Sequence, residues 1–244
     1  MELLKRLYAV NSKSGEEAAI KELVRRELSD VGCVIDEDDF GNIFITKGVA
    51  ERYPCVTAHL DEVHEPTSRR VVVEGDMLYG VDHEGNRVGI GADDKNGIWV
   101  IIRLLHKLPV LKAALFVEEE KSMVDGAVIA GCRGSRACSL AWFDNVRYII
   151  AIDRKGCSDV VIRSKGDIEL ADNDFFRSAP LQKYGYACCE GGRTDVTALK
   201  ERGLPIPCCN VSCGYYNAHK EDEYTLYSHL ENALNFIDEL IITL

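Results

Sequence analysis

Two histidines and a run of carboxylates stand where strands are expected to end. His59 and Asp61 are two apart, Asp93 and Asp94 are adjacent in GADDKNG, and Glu118, Glu119 and Glu120 are consecutive. Asp153 closes an apolar stretch over 148–152, and His219 comes late in the chain. On a strand, a spacing of two puts both side chains on one face. Asp61 can therefore accept the imidazole N–H that His59 does not need for a metal, and so fix its tautomer. Alone, such a pair is more often a satisfied hydrogen bond. Asp93 and Asp94 precede the apolar 98–102, where a helix should begin, and a cap needs only one of them. The three glutamates follow the apolar 113–117 and repel one another unless solvated or met by cations. Asp153 has the same character, with Arg154 and Lys155 as alternative partners. Two histidines and at least three carboxylates at one sheet edge fit a site for two divalent ions, with one carboxylate bridging and room for water on each.

Other chemistries fit less well. Gly89-Ile90-Gly91 resembles the start of a dinucleotide loop, but the third glycine would fall at Asp94, where a carboxylate repels pyrophosphate. Ser212, after an expected strand, partly matches a nucleophile elbow, yet the first glycine is missing and only Asp222 and His229 could complete a triad. The ten cysteines include no CxxC pair, which argues against a cysteine zinc ribbon. With 29 basic and 40 acidic residues the chain carries a net charge of −11, which disfavours nucleic acid as a partner. No apolar run suits a membrane span or a signal peptide, so reduced cysteines and a cytoplasmic location are expected.

The elements that must position these residues alternate. Ser14 and Glu17 form a capping-box pattern ahead of a helix over 14–30. An edge hairpin is expected at 33–36 and 42–46, a buried strand at 54–60, and a second hairpin at 70–73 and 77–79. Then come a helix over 95–107, a strand over 112–118, a short helix over 122–131 and strands over 147–152 and 158–163. A helix over 173–183, a strand over 186–189, a helix over 195–201, a strand over 206–211 and a helix over 224–241 complete the pattern. This predicts an α/β three-layer sandwich, a mixed but mostly parallel sheet with helices on both faces. In such a sheet functional groups gather beyond the carboxyl ends of the strands, which is where the acids and histidines fall. Residues 1–244 read as one domain, without linker, repeat or low-complexity tract.

The ordered set of HLD at 59–61, GADDKNG at 91–97, the glutamates at 119 and 120, AIDRKG at 151–156, GGRTD at 191–195 and His219 resembles the co-catalytic di-zinc exopeptidases. Within that superfamily the chain looks like peptidase T and the glutamyl aminopeptidases. The resemblance implies that Asp93 bridges two metals, with His59 and Asp153 on one and Glu120 and His219 on the other. It makes Asp61 the residue that orients His59 and Glu119 the general base, moving a proton from water to the leaving amine. In the family a glycine follows the glutamate pair closely, whereas Lys121 and Ser122 intervene here, so Glu118/Glu119 stays open beside Glu119/Glu120. Gly192, Arg193 and Thr194 would lie beside the substrate, although a capped turn explains Arg193 and Thr194 equally well.

The segments 62–92 and 154–190 hold 31 and 37 residues, too few for a separate domain. No inserted lid or dimerisation domain is expected, and the 62–92 hairpin and the loop 214–217 are the candidates to shape the pocket. The expected activity is that of a zinc-type metallo-exopeptidase, with cobalt or manganese as alternative ions. It would be an aminopeptidase on short peptides, with Glu118 among the carboxylates that could hold the α-ammonium group. The alternatives are a deacylase of N-acyl amino acids, a carboxypeptidase or dipeptidase of the same superfamily, a serine hydrolase, and a non-catalytic metal-binding protein. A homo-oligomer is open, with no membrane partner.

Overall fold

The computed structural model describes residues 1–124 and 127–244, with side chains described for all of these except 122–124, 127 and 173. The chain opens with two helices, α1 (Glu2–Ala9) and α2 (Ala18–Glu27), followed by strands β1 (Cys33–Glu37), β2 (Ile43–Lys47) and β3 (Tyr53–His59). Three short strands follow, β4 (Arg70–Glu74), β5 (Met77–Val81) and β6 (Arg87–Val88), then helix α3 (Ala92–Lys107) and β7 (Leu111–Phe116). A hairpin of β8 (Ser122–Val124) and β9 (Ala127–Ile129) leads to α4 (Arg133–Ala137), β10 (Val146–Arg154), β11 (Asp159–Ser164) and β12 (Ile168–Glu169). The last third holds α5 (Leu181–Tyr184), β13 (Ala187–Gly191), α6 (Asp195–Glu201), β14 (Cys208–Ser212), β15 (Tyr215–Tyr216), β16 (Tyr224–Leu226) and α7 (Tyr227–Thr243).

The main sheet runs β1-β2-β7-β3-β10-β14-β11-β12, with β13 beside β11. Its centre, β7-β3-β10-β14, is parallel, and β13 runs parallel to β11. The wings join antiparallel through β1/β2, β2/β7, β11/β14 and β11/β12. Alternate residues of the central strands enter two separate cores. Val56, Ala113, Leu115, Ile150 and Ile152 pack with α1, α2, α3 and α7, while Cys55, Ala114, Phe116, Ile149 and Ala151 pack with α6 on the other face. Burial on both faces explains why these strands read as continuous apolar runs. Among the described residues no helix is long and apolar enough to cross a membrane.

A second, antiparallel sheet runs β15-β16-β5-β4, with β6 on β5. It joins the two segments expected to shape a pocket, since Tyr215 and Tyr216 pair with Thr225 and Tyr224, which pair in turn with Leu78 and Tyr79.

Three expectations about local structure fail for identifiable reasons. The pattern at Ser14 and Glu17 is not a capping box. The helix begins at Ala18, and the Glu17 carboxylate accepts the N–H groups of Gly15 and Glu118 instead. The helix over 173–183 breaks into a 3-10 turn at Asn173–Phe176 and the single turn α5, because Pro180 precedes α5 and disfavours a helical residue before it. The helix over 122–131 is replaced by the β8/β9 hairpin, of which residues 125 and 126 lie outside the described residues. Closure decides this last case. The N–H groups of Cys132, Arg133 and Gly134 donate to the carbonyls of Glu119, Glu118 and Val117 at 2.8, 2.9 and 3.1 Å. A ten-residue helix would hold its ends roughly 15 Å apart, whereas a hairpin returns the chain to where it left.

Gly131 makes that return fit, because a Cβ there would overlap the carbonyl oxygen of Glu119. Gly131→Ala should therefore lower the unfolding free energy by about 1–3 kcal/mol through overpacking. Arg133→Ala, which removes a half-exposed ion pair with Glu118, should change it by less than about 1 kcal/mol. Denaturant unfolding of the two variants measures the difference, and equal effects would contradict the tight return.

Candidate metal centre

β3 ends at His59, β7 stops just short of the glutamates, and β10 carries Asp153 at its C-terminal end, so three neighbouring parallel strands deliver their acids and imidazole to one edge. His59 Nδ1 faces Asp61, 3.0 Å from its carbonyl oxygen and 3.3 Å from its carboxylate. Nε2 is thereby turned to Asp93 at 3.1 Å and Asp153 at 3.7 Å. The two oxygens of Asp93 divide between two imidazoles, Oδ1 toward His59 and Oδ2 toward His219 Nε2 at 3.2 Å. His219 Nε2 lies 2.6 Å from Glu120 Oε1.

The adjacent Asp94 has a different task. Its Oδ1 accepts the Gly97 N–H at 3.1 Å and caps the regular part of α3, while Oδ2 accepts the His59 N–H at 3.2 Å. Asp93 and Asp94 have non-helical dihedrals, so the regular helix starts after them and Asp93 projects beside the cap.

The glutamate turn is held by its backbone. Both oxygens of Asp61 are occupied, accepting the N–H groups of Glu119 and Glu120 at 2.9 and 3.0 Å, while Glu17 takes that of Glu118. Glu119 and Glu120 join the cluster, and Glu118 pairs with Arg133. The carboxylate of Glu118 is thus engaged and does not offer the ammonium-binding group expected of it. Glu119 Oε1 lies 3.3 Å from the Cys132 thiol, a weak donor. Asn210 fixes Asp153 by accepting its N–H at 2.9 Å and donating to its carbonyl at 2.6 Å. Arg154 pairs with Asp159 rather than with Asp153.

Ionisation reflects the crowding. Burial pushes Asp153 up to about 7, helped by the negative charge of Asp93. Burial also raises Glu119 well above the carboxylate range, with Asp153 and Asp195 adding repulsion, and raises Glu120. Burial would raise Asp93 too, but the hydrogen bonds from His219 and His59 outweigh it and hold it low. Burial would lower the His59 imidazolium, yet Asp153, Asp61 and Asp93 keep it well above the histidine range. Bonds to Asp93 and Glu120 lift His219 to about 10. The cluster therefore draws positive charge to itself.

That donor set suits divalent ions. His59, Asp93 and Asp153 form one group with ligand atoms within 4.8 Å of one another, and Asp93, Glu120 and His219 form a second. Imidazole with carboxylate is a set for zinc, cobalt or manganese, and Asp93 belongs to both groups. The cluster opens on a cavity of about 760 Å³ whose lining also includes Lys165, Gly192, Arg193 and Thr194. Arg193 is paired with Glu201, and Thr194 stands at the N-cap position of α6 with its N–H on Thr197 Oγ1 at 3.2 Å.

The residues of the serine reading are not brought together. Ser212 is buried with its Oγ accepting the Asp159 N–H, Asp222 accepts from Asn217, and His229 Nδ1 meets the Tyr216 hydroxyl at 2.6 Å.

Sequence reasoning missed several groups that hold the site. Glu62, Arg69 and Lys95 form a buried charge cluster, with Glu62 Oε1 2.8 Å from Arg69 and 3.1 Å from Lys95. Burial pushes Lys95 down to about 8 despite Glu62, and its Nζ donates to the Val10 carbonyl at 2.6 Å. Gly91, at φ +61°, has no room for a Cβ because Glu62 occupies that space. Lys95 inside GADDKNG was the available signal. Asp195 closes the GGRTD motif, while the buried Glu223 gave no signal.

No protein-family model matches the chain, and no curated protein matches its sequence. Solved structures do match in fold. The aminopeptidase PepT from Bacillus cereus aligns with a TM-score of 0.79 at 15% identity, covering 98% of this chain and 96% of that one. A tripeptidase from Staphylococcus aureus gives 0.76 at 13% identity, over 98% and 96%. The TET1 peptidase of Pyrococcus horikoshii, described as assembling into a tetrahedron or a large octahedral shell, gives 0.67 at 16% identity, over 99% and 98%. The chain accordingly has the α/β fold shared by PepT-type and TET-type peptidases, as the ordered motifs led one to expect.

Proposed function

We propose that the chain is a metal-dependent exopeptidase that removes amino-terminal residues from short peptides. One observation carries this: Asp93 lies between two imidazoles, with Asp153 beside one and Glu120 beside the other. The shared fold with solved aminopeptidase and tripeptidase structures supports it. Two divalent ions, zinc by preference, held by His59 and Asp153, by Glu120 and His219, and jointly by Asp93, would make water nucleophilic near neutral pH and polarise the scissile carbonyl.

The protein's own groups do the rest. Glu119, raised by burial and with the Cys132 thiol on its Oε1, takes a proton from the attacking water and delivers it to the leaving amine. Asp61 holds the His59 ring and, through two N–H groups, the position of Glu119. Gly192 leaves open space where a side chain would stand, so a peptide can approach its backbone. Lys165 in the cavity lining supplies positive charge for a carboxylate of the substrate, while Arg193 beside it is held by Glu201. The same cation favours a second reading, a deacylase of N-acyl amino acids or a carboxypeptidase. Self-assembly belongs to the proposal by analogy with the TET1 shell.

Glu119→Gln should keep the metal content of the wild type while kcat falls by about 10²–10⁴-fold. Elemental analysis and dipeptide turnover check this, and unchanged turnover would exclude Glu119 as the base. Chelation should abolish activity and added zinc restore it. On dipeptides blocked at one end or the other, the N-blocked substrates should resist cleavage. Cleavage of those alone would favour the deacylase reading.

A further inference from the structure

His219 is the one member of the cluster that stands on an exposed loop. Its side chain is 48% exposed, its φ is +65°, and among the described residues its ring meets Asp93 and Glu120. Four residues later the chain plunges inward at Glu223, which is fully buried. One oxygen of Glu223 accepts the N–H of Ile90 at 2.9 Å and faces His64 Nε2 at 3.2 Å, while the other accepts the N–H of Asp93 at 3.3 Å. Burying a carboxylate is costly, and a well-packed apolar residue is often as stabilising at such a site. Stability alone does not explain the choice. What Glu223 achieves is geometric. It ties the loop of His219 to the backbone of the residue that His219 must share with His59, and the four-residue step from His219 to Glu223 reaches at most about 14 Å.

We propose that Glu223 is a positioning residue that fixes His219 against Asp93, with His64 as its own partner. The inference rests on the metal-dependent reading above. Groups that orient ligands from behind typically change metal affinity by about 10–100-fold when altered. His64 is itself confined, since a Cβ at Gly89 would overlap its ring. Glu223 is therefore clamped from both sides, and the Gly89–Ile90 backbone is part of the clamp.

Calorimetric titration of the metal-free protein with zinc alone tests this, alongside the metal-free melting temperature. Wild type should take up two equivalents, and His219→Ala should lose one of them. Glu223→Gln should weaken one equivalent by about 10–100-fold and leave the other within about twofold. Glu223→Asp, which keeps the charge but shortens the reach, should fall between and serves if the Gln variant fails to fold. A purely structural role would lower the melting temperature with both affinities unchanged, and that result overturns the proposal. Equal weakening of both equivalents overturns it as well. If wild type takes up no zinc, the metal-dependent reading fails and this inference falls with it; two tight equivalents in wild type and in both Glu223 variants would sink the inference alone.

Discussion

Carboxylates gathered in a protein interior repel one another, and each must be met by hydrogen-bond donors or by positive charge. The acids at the edge of this sheet divide by which of the two they receive. Asp61 accepts the N–H groups of Glu119 and Glu120, Asp94 those of His59 and Gly97, Glu17 those of Gly15 and Glu118, and Glu223 those of Ile90 and Asp93. Backbone dipoles satisfy these four, and their work is to shape the turns. Asp93, Asp153, Glu119 and Glu120 accept no backbone N–H among the described residues and rely on imidazoles, a tyrosine hydroxyl and a thiol. The second set is left calling for cations, and it is the set that faces the cavity.

This division explains what could be read in advance. Apolar strands buried on both faces are visible as uninterrupted apolar runs, so the parallel centre and the acids ending its strands were legible. A resemblance carried by ordered motifs then assigned Asp93 rather than Asp94, and composition could not have done so, because the two differ only in which direction a non-helical backbone sends them. The glutamate register was open for the same reason. Three identical residues in a row are distinguished by which N–H each neighbouring carboxylate reaches, and those carboxylates, Glu17 and Asp61, are about 58 to 101 positions away along the chain.

Two of the three failures share one physical cause, the exception being the break at Pro180. Propensity and periodicity describe a segment by itself, but the segment 121–131 is decided by its ends. Once Cys132, Arg133 and Gly134 bond back to Val117–Glu119, a straight helix no longer fits between. Gly131 then packs its backbone against the Glu119 carbonyl, where a Cβ would not fit. Likewise the Ser14 and Glu17 pattern predicts a cap because a cap is a local device, while the Glu17 carboxylate serves a turn about a hundred residues downstream.

Long-range closure also determines how the cluster can work. Its members come from the ends of three central strands, from the start of α3 and from a loop that precedes β16, and each is fixed by a group remote in sequence. Lys95 and Arg69 hold the first helix's exit to the start of α3 through the carbonyls of Val10 and Tyr8, and Asn210 holds Asp153. Movement of any one anchor changes a separation of about 3 Å between an imidazole and a carboxylate, and at that range a shift of 1 Å is the difference between a ligand and a neighbour. A shared fold at 13–16% identity is compatible with such a shift; a carboxylate with one oxygen toward each of two imidazoles is not. The case for chemistry at this edge therefore stands on the geometry of Asp93 rather than on the architecture that carries it.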